Sequence, residues 1–251
     1  MHSVLIIGQS NMAGRGFPGE VSPIDNKGLF VLRNGRWWPM YTPVNPDRVT
    51  AGVNLVETFA RRYADEHGVE VGVIPCADGG TSLDQWAEGG VLFDHAVYMT
   101  ELALRTSTVV AILWHQGESD CHPELTPAYE EKLVRILRAL RERTGLHDVP
   151  ILVGGLGDYL VNYHPELGYY WDCVQKVNSS LQKMANDDPL VGFVSAEGLK
   201  PNPDNLHFSA KSLREFGHRY YEEFLKLENK AVTRPEKSTD GAMAKSEMEA
   251  L

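Results

Sequence analysis

The 251-residue chain is poor in cysteine: Cys76, Cys121 and Cys173 are its only three. They are too scattered for a disulfide framework or a zinc knuckle, and read as reduced, buried thiols. No apolar run approaches the ~20 residues that cross a bilayer, so no membrane partner is expected. No basic leader with an apolar stretch precedes the first strand-like segment; the expected location is cytoplasmic, unless a leader has been removed. Positive charge is in deficit, with 24 Lys and Arg against 34 Asp and Glu, which argues against nucleic acid or an anionic membrane surface as partner. There is no GxxxxGK[ST], hence no P-loop. "GRGFPG" at 14–19 matches GxGxxG by letter, but Pro18 stands where a helix should open. The nine histidines form neither HxH nor HExxH, so neither a metal nor a cofactor is expected.

Five apolar runs are present: "SVLIIG" (3–8), "VGVIP" (71–75), "VVAILW" (109–114), "PILVGG" (150–155) and "LVGFVS" (190–195). They are rich in Val and Ile and lack polar alternation, as in parallel strands covered on both faces. Apolar residues at helical spacing alternate with them: Leu55, Phe59, Tyr63; Tyr129, Leu133, Ile136, Leu137, Leu140; Tyr170, Val174, Val177, Leu181, Met184; and Leu213, Phe216, Tyr220, Phe224 behind a Ser209 N-cap. This predicts a three-layer α/β/α sandwich on a five-stranded parallel sheet, formed by a single domain over 1–228. Residues 229–251 have no aromatic side chain and many charges, and read as a mobile polar tail. "FVLRNGRWW" interrupts the alternation. Its Asn34-Gly35 predicts a two-residue hairpin turn within a small insertion at about 29–41, placed near the strand ends so that Trp37 and Trp38 wall a pocket or cover a core edge.

Four stretches sit just beyond strand carboxyl ends, where open α/β sheets build their sites: "GQSNMAG", "CADGGTSLDQW", "HQGESD" and "PDNLHFS". Ser10 is a candidate nucleophile that needs a base. His207 is the candidate base; Asp204 stands three residues before it, on one face of a tight turn, and can orient its imidazole, with Glu118 as the alternative acid or as an anchor behind it. Oxyanion donors are available from the N–H groups of Ser10 and of Gly79 or Gly80, and from the Gln116 amide. Asp84, Trp86, Trp37 and Trp38 are candidate pocket residues with flat surfaces for a sugar, Trp86 being equally suited to the core.

In this order the four blocks resemble the SGNH-hydrolase superfamily, and within it the carbohydrate acetylesterase branch of carbohydrate esterase family 6, from about Ser3 to Leu227. The resemblance implies a flavodoxin-like fold, Ser10 as nucleophile, Asp204 and His207 as the acid–base pair, and Gly79 (or Gly80) and Gln116 in the oxyanion hole; where much of the superfamily has an asparagine, this chain has "HQGE". It also implies a serine esterase that removes O-acetyl groups from a small carbohydrate, acetylxylan or its oligosaccharides first and 9-O-acetylated sialic acid second. A non-catalytic carbohydrate-binding protein on the same scaffold is the contrasting expectation.

Overall fold

The computed structural model describes residues 1–228; the expected tail at 229–251 lies outside the described residues. In chain order the elements are β1 (His2–Gly8), α1 (Ser10–Ala13), β2 (Leu29–Arg33), β3 (Arg36–Pro39), α2 (Leu55–His67), β4 (Val71–Pro75), α3 (Val91–Ala103), β5 (Thr108–His115), α4 (Tyr129–Thr144), β6 (Ile151–Gly154), α5 (Tyr170–Asp187), β7 (Val191–Val194) and α6 (Ala210–Glu228). The sheet order is β3-β2-β4-β1-β5-β6-β7. The five anticipated strands occupy β4-β1-β5-β6-β7, the doubly wound order whose switch point lies beside β1.

The sheet has seven strands rather than five. The extra pair is the hairpin, which is not a separate insertion: β2 pairs in parallel with β4 through Leu29↔Val71, Phe30↔Gly72 and Val31↔Val73, and β3 closes the edge antiparallel to β2. Asn34 and Gly35 both have positive φ, 51° and 73°, as a tight hairpin turn matching strand twist demands. Val31 and Leu32 are buried, and that burial draws the hairpin into the sheet.

Helices α2 and α6 pack together on one face, and α3, α4 and α5 cover the other. Phe59 and Tyr63 of α2 meet Tyr221 and Phe224 of α6 edge-on. Asn54 and Glu57 form a capping box that starts α2, and the Ser209 hydroxyl accepts the Ser212 N–H at the start of α6. Among the described residues, no helix is long and apolar enough to cross a membrane.

Candidate active site

All four strand-end stretches contribute to one cavity of about 500 Å³. Gln9 and Ser10 follow β1, Gly79 and Gly80 follow β4, Glu118 and Ser119 follow β5, and Leu206 and His207 precede α6. Because β1 lies between β4 and β5, the shortest exit from the sheet delivers Ser10 to the middle of this edge.

Ser10 and His207, 197 residues apart, meet with Oγ 3.0 Å from Nε2. His207 Nδ1 lies 2.7 Å from Asp204 Oδ2, which fixes the imidazole proton on Nδ1 and leaves Nε2 as an acceptor for the serine O–H. The other carboxylate oxygen, Oδ1, accepts the N–H groups of Leu206 (2.9 Å) and His207 (3.0 Å). The turn that places the acid three residues before the base is therefore built by the acid itself. Burial alone would push the Asp204 carboxyl up; these N–H groups and the imidazole outweigh it and hold the carboxyl below its ordinary value.

Glu118 does not reach His207. It is buried, and its Oε1 accepts Asn11 Nδ2 at 2.6 Å and His115 Nε2 at 3.2 Å. Burial pushes its carboxyl up, but the facing His115 and these hydrogen bonds bring the net position below the ordinary value.

Gly79 lies against Ser10: a Cβ there would come within 3.4 Å of Ser10 Cβ and 2.4 Å of Arg15 Nη2, so a larger residue would have to displace the Arg15–Asp47 pair. Its N–H is already donated to Asp47 Oδ2 at 2.8 Å. Among the described residues nothing accepts the N–H of Gly80, which also lines the cavity. Gln116 does not join the cavity: it is fully buried, and its Nε2 is spent on Thr81 O (3.0 Å) and Asp120 Oδ2 (2.5 Å).

The four expected pocket residues also lie elsewhere. Trp37 packs on Gly72 and donates its indole N–H to Thr106, before β5. Trp38 is half exposed on the edge strand β3. Trp86 is core, edge-on to Trp114, and Asp84 pairs with Lys132 on the surface. The hairpin's alternation puts one tryptophan over each side of the sheet edge, away from the strand ends.

Three features were not read from the sequence. Gln9 lines the cavity with its Oε1 accepting the N–H groups of Gly117 (3.4 Å) and Ser119 (3.3 Å), which leaves its amino group for the cavity. Gln9 and Asn11 flank Ser10 in the quoted stretch, and that adjacency was the available signal. Arg15 and Asp47 form a buried bidentate pair at 3.0 and 2.6 Å; nothing in "VNPDRV" announces it. Much of the cavity's remaining lining is aromatic: His122, Tyr163, His164, Tyr169 and Tyr170, with His122 edge-on to Tyr169 and Tyr163 to Tyr170. The run "NYHPELGYYW", which leads from the β6–α5 connection into α5, carried that signal for all but His122.

The sandwich has the fold of a lipase/acylhydrolase from Enterococcus faecalis (TM-score 0.55, 14% identity, 95% of this chain and 100% of that one). The chain belongs to the family described as carbohydrate esterase, sialic acid-specific acetylesterase, whose profile matches residues 1–226; it is a carboxylic ester hydrolase. An Arabidopsis thaliana protein named "Probable carbohydrate esterase" is 28% identical over 239 residues, covering 85% of this chain and 86% of its own. An A. thaliana crystal structure superposes with a TM-score of 0.77 at 26% identity, covering 89% of this chain and 98% of that one. The fold is shared with NanS (TM-score 0.70, 17% identity, 91% of this chain and 98% of that one). It is also shared with a carbohydrate acetylesterase from Xanthomonas citri (TM-score 0.66, 19% identity, 91% and 57%).

Proposed function

We propose that the protein is a serine O-acetylesterase acting on acetylated neutral sugars, such as acetylated xylo-oligosaccharides, through an acetyl-enzyme. The observation that carries this reading is the 3.0 Å contact between Ser10 Oγ and His207 Nε2 behind an Asp204-oriented imidazole. Ser10 Oγ attacks the acetyl carbonyl carbon as His207 Nε2 takes its proton, and Asp204 stabilises the imidazolium. The oxyanion receives the N–H of Ser10 and the Gln9 amino group, with the uncommitted N–H of Gly80 on the same cavity as a further donor. The C–O bond to the sugar breaks and His207 returns the proton to the departing sugar oxygen. A water then attacks the acetyl-serine, His207 takes its proton, and acetate leaves with Ser10 restored.

The choice of a neutral sugar rests on charge. Arg15 faces Asp47, Arg48 faces Asp78, His164 faces Glu166 and His207 faces Asp204. A substrate carboxylate entering the cavity would meet Arg15, His164 and His207 already paired, and His122 alone of the cavity's basic side chains faces no carboxylate among the described residues. The tyrosine wall offers flat apolar surface to a pyranose ring. The family's description points instead to sialic acid, so both substrates belong in the test. Acetate release is measured from acetylated xylo-oligosaccharides and from 9-O-acetylated sialic acid, alongside fluorophosphonate labelling of Ser10. Labelling of wild type but not of Ser10→Ala, with faster turnover of the neutral sugar, is expected. Wild-type rates in Ser10→Ala would exclude the mechanism, an unlabelled wild type would favour a non-catalytic binder, and preference for the sialate would overturn the substrate class.

A further inference from the structure

Nucleophile and base come from opposite ends of the chain, and their alignment needs a physical tie. Asn11, next to Ser10 and 1% exposed, supplies one. Its Oδ1 accepts the N–H of Phe208 at 3.0 Å and its Nδ2 donates to the C=O of Leu206 at 3.2 Å. One side chain therefore holds the main chain on both sides of His207. The second Nδ2 hydrogen goes to Glu118 Oε1 at 2.6 Å, which also accepts from His115. A flipped amide would set Oδ1 against the Leu206 carbonyl and the Glu118 carboxylate, and the amino group against the Phe208 N–H. The three partners thus permit one orientation. Tyr159 Oη also donates to Leu206 O, and Asn202 ties the same segment to Arg15 O; neither of these residues adjoins Ser10.

We propose that Asn11, oriented by Glu118, is a positioning residue that sets His207 in line with Ser10, so that Glu118 serves catalysis through Asn11 rather than as the acid on the imidazole. The inference rests on the serine-esterase reading above. Misplacing a catalytic group by about 1 Å costs on the order of 100-fold in rate, and the asparagine's bonds to residues 206 and 208 govern that placement.

The test exchanges donor and acceptor. Asn11→Asp sets two carboxylates against each other and removes the donor to Leu206. The double variant Asn11→Asp/Glu118→Gln keeps the Phe208 N–H bond and the net charge; it restores the contact with the glutamine donating to the aspartate and His115 taking its other tautomer. The readouts are the rate constant for fluorophosphonate labelling of Ser10, and kcat and KM for an acetylated xylo-oligosaccharide. Asn11→Asp is expected to label about 100-fold more slowly, with kcat falling alike and KM within about threefold of wild type. The double variant is expected to regain at least about tenfold of the loss. Should Asn11→Asp not fold, Asn11→Ala carries the same expectation for labelling, kcat and KM. Wild-type labelling in either folded single variant overturns the proposal, as does a folded double variant no faster than folded Asn11→Asp. A wild type that takes no probe and releases no acetate removes the esterase reading itself, and this proposal with it.

Discussion

Gln9 and Gln116 are the same residue type at neighbouring strand ends, and their partners separate them. The Gln9 oxygen is pinned by two backbone N–H groups, which leaves its amino group for the oxyanion role proposed above. The Gln116 amino group is spent on Thr81 and Asp120. Gln9→Ala should therefore lower kcat by roughly 100- to 1000-fold. Gln116→Ala should instead destabilise the fold by about 1–3 kcal/mol by unsatisfying buried acceptors, with less than about a tenfold change in kcat. Steady-state kinetics and urea midpoints of the two variants check this, and the reverse pattern would return the oxyanion role to Gln116. Legibility at this scale follows sequence distance. Asp204 and His207 are readable as a pair because three residues and one turn join them. Asp47, whose carboxylate takes both Arg15 and the Gly79 N–H, lies 32 residues from each in a loop without a pattern, and only the folded chain brings it there.

The elements were legible where their apolar pattern repeats. The five core strands and the α2, α4, α5 and α6 helices stand where Val/Ile runs and helical spacing predicted them, because burial on a sheet or helix face imposes that spacing. The hairpin turn was equally legible, but its destination was not: Asn34-Gly35 dictates a turn, whereas pairing of β2 with β4 depends on an edge of the sheet that no local pattern describes. Trp37 is consequently part of the sheet and Tyr163 part of the cavity. Trp37→Ala is expected to cost about 2 kcal/mol of stability, below the range for a fully buried tryptophan, and to leave KM for acetylated sugars unchanged. Tyr163→Ala is expected to raise that KM roughly tenfold through lost apolar contact with the sugar ring, with little change in stability. Chemical denaturation and substrate titration of both variants test the assignment, and a raised KM in Trp37→Ala would return the hairpin to the substrate site.

At the scale of the molecule, the buried ionisable groups make stability asymmetric in pH. Burial pushes up the hydroxyls of Tyr63, Tyr129, Tyr159, Tyr170, Tyr220 and Tyr221 and the thiols of Cys76 and Cys121. In the unfolded chain these groups ionise near their ordinary values, about 8.5 for cysteine and about 10 for tyrosine. A raised folded value means that the unfolded state releases protons first. Their contribution is thus complete below about pH 8 and is lost as pH rises, by up to about 1.4 kcal/mol per pH unit for each group ionised only in the unfolded chain. On the acid side Glu118 and Asp204, held low, contribute above the ordinary carboxylate range and lose that contribution as pH falls through their folded values, while Asp120, raised by burial, opposes them. The formal charge of −10 at neutral pH adds repulsion on the alkaline side, where it grows. Urea midpoints should therefore stay nearly level from about pH 7 to 8, decline below about pH 6.5 where burial keeps His2 from taking the proton that the unfolded chain binds, and fall steeply above about pH 9. Replacing Cys76 and Cys121 by serine should move the onset of that fall up toward the tyrosine range, about pH 10. A midpoint at pH 10.5 equal to that at pH 7 would mean that these rings and thiols are not buried as described, and with Tyr159 and Tyr170 the packing behind the catalytic edge would lose its basis.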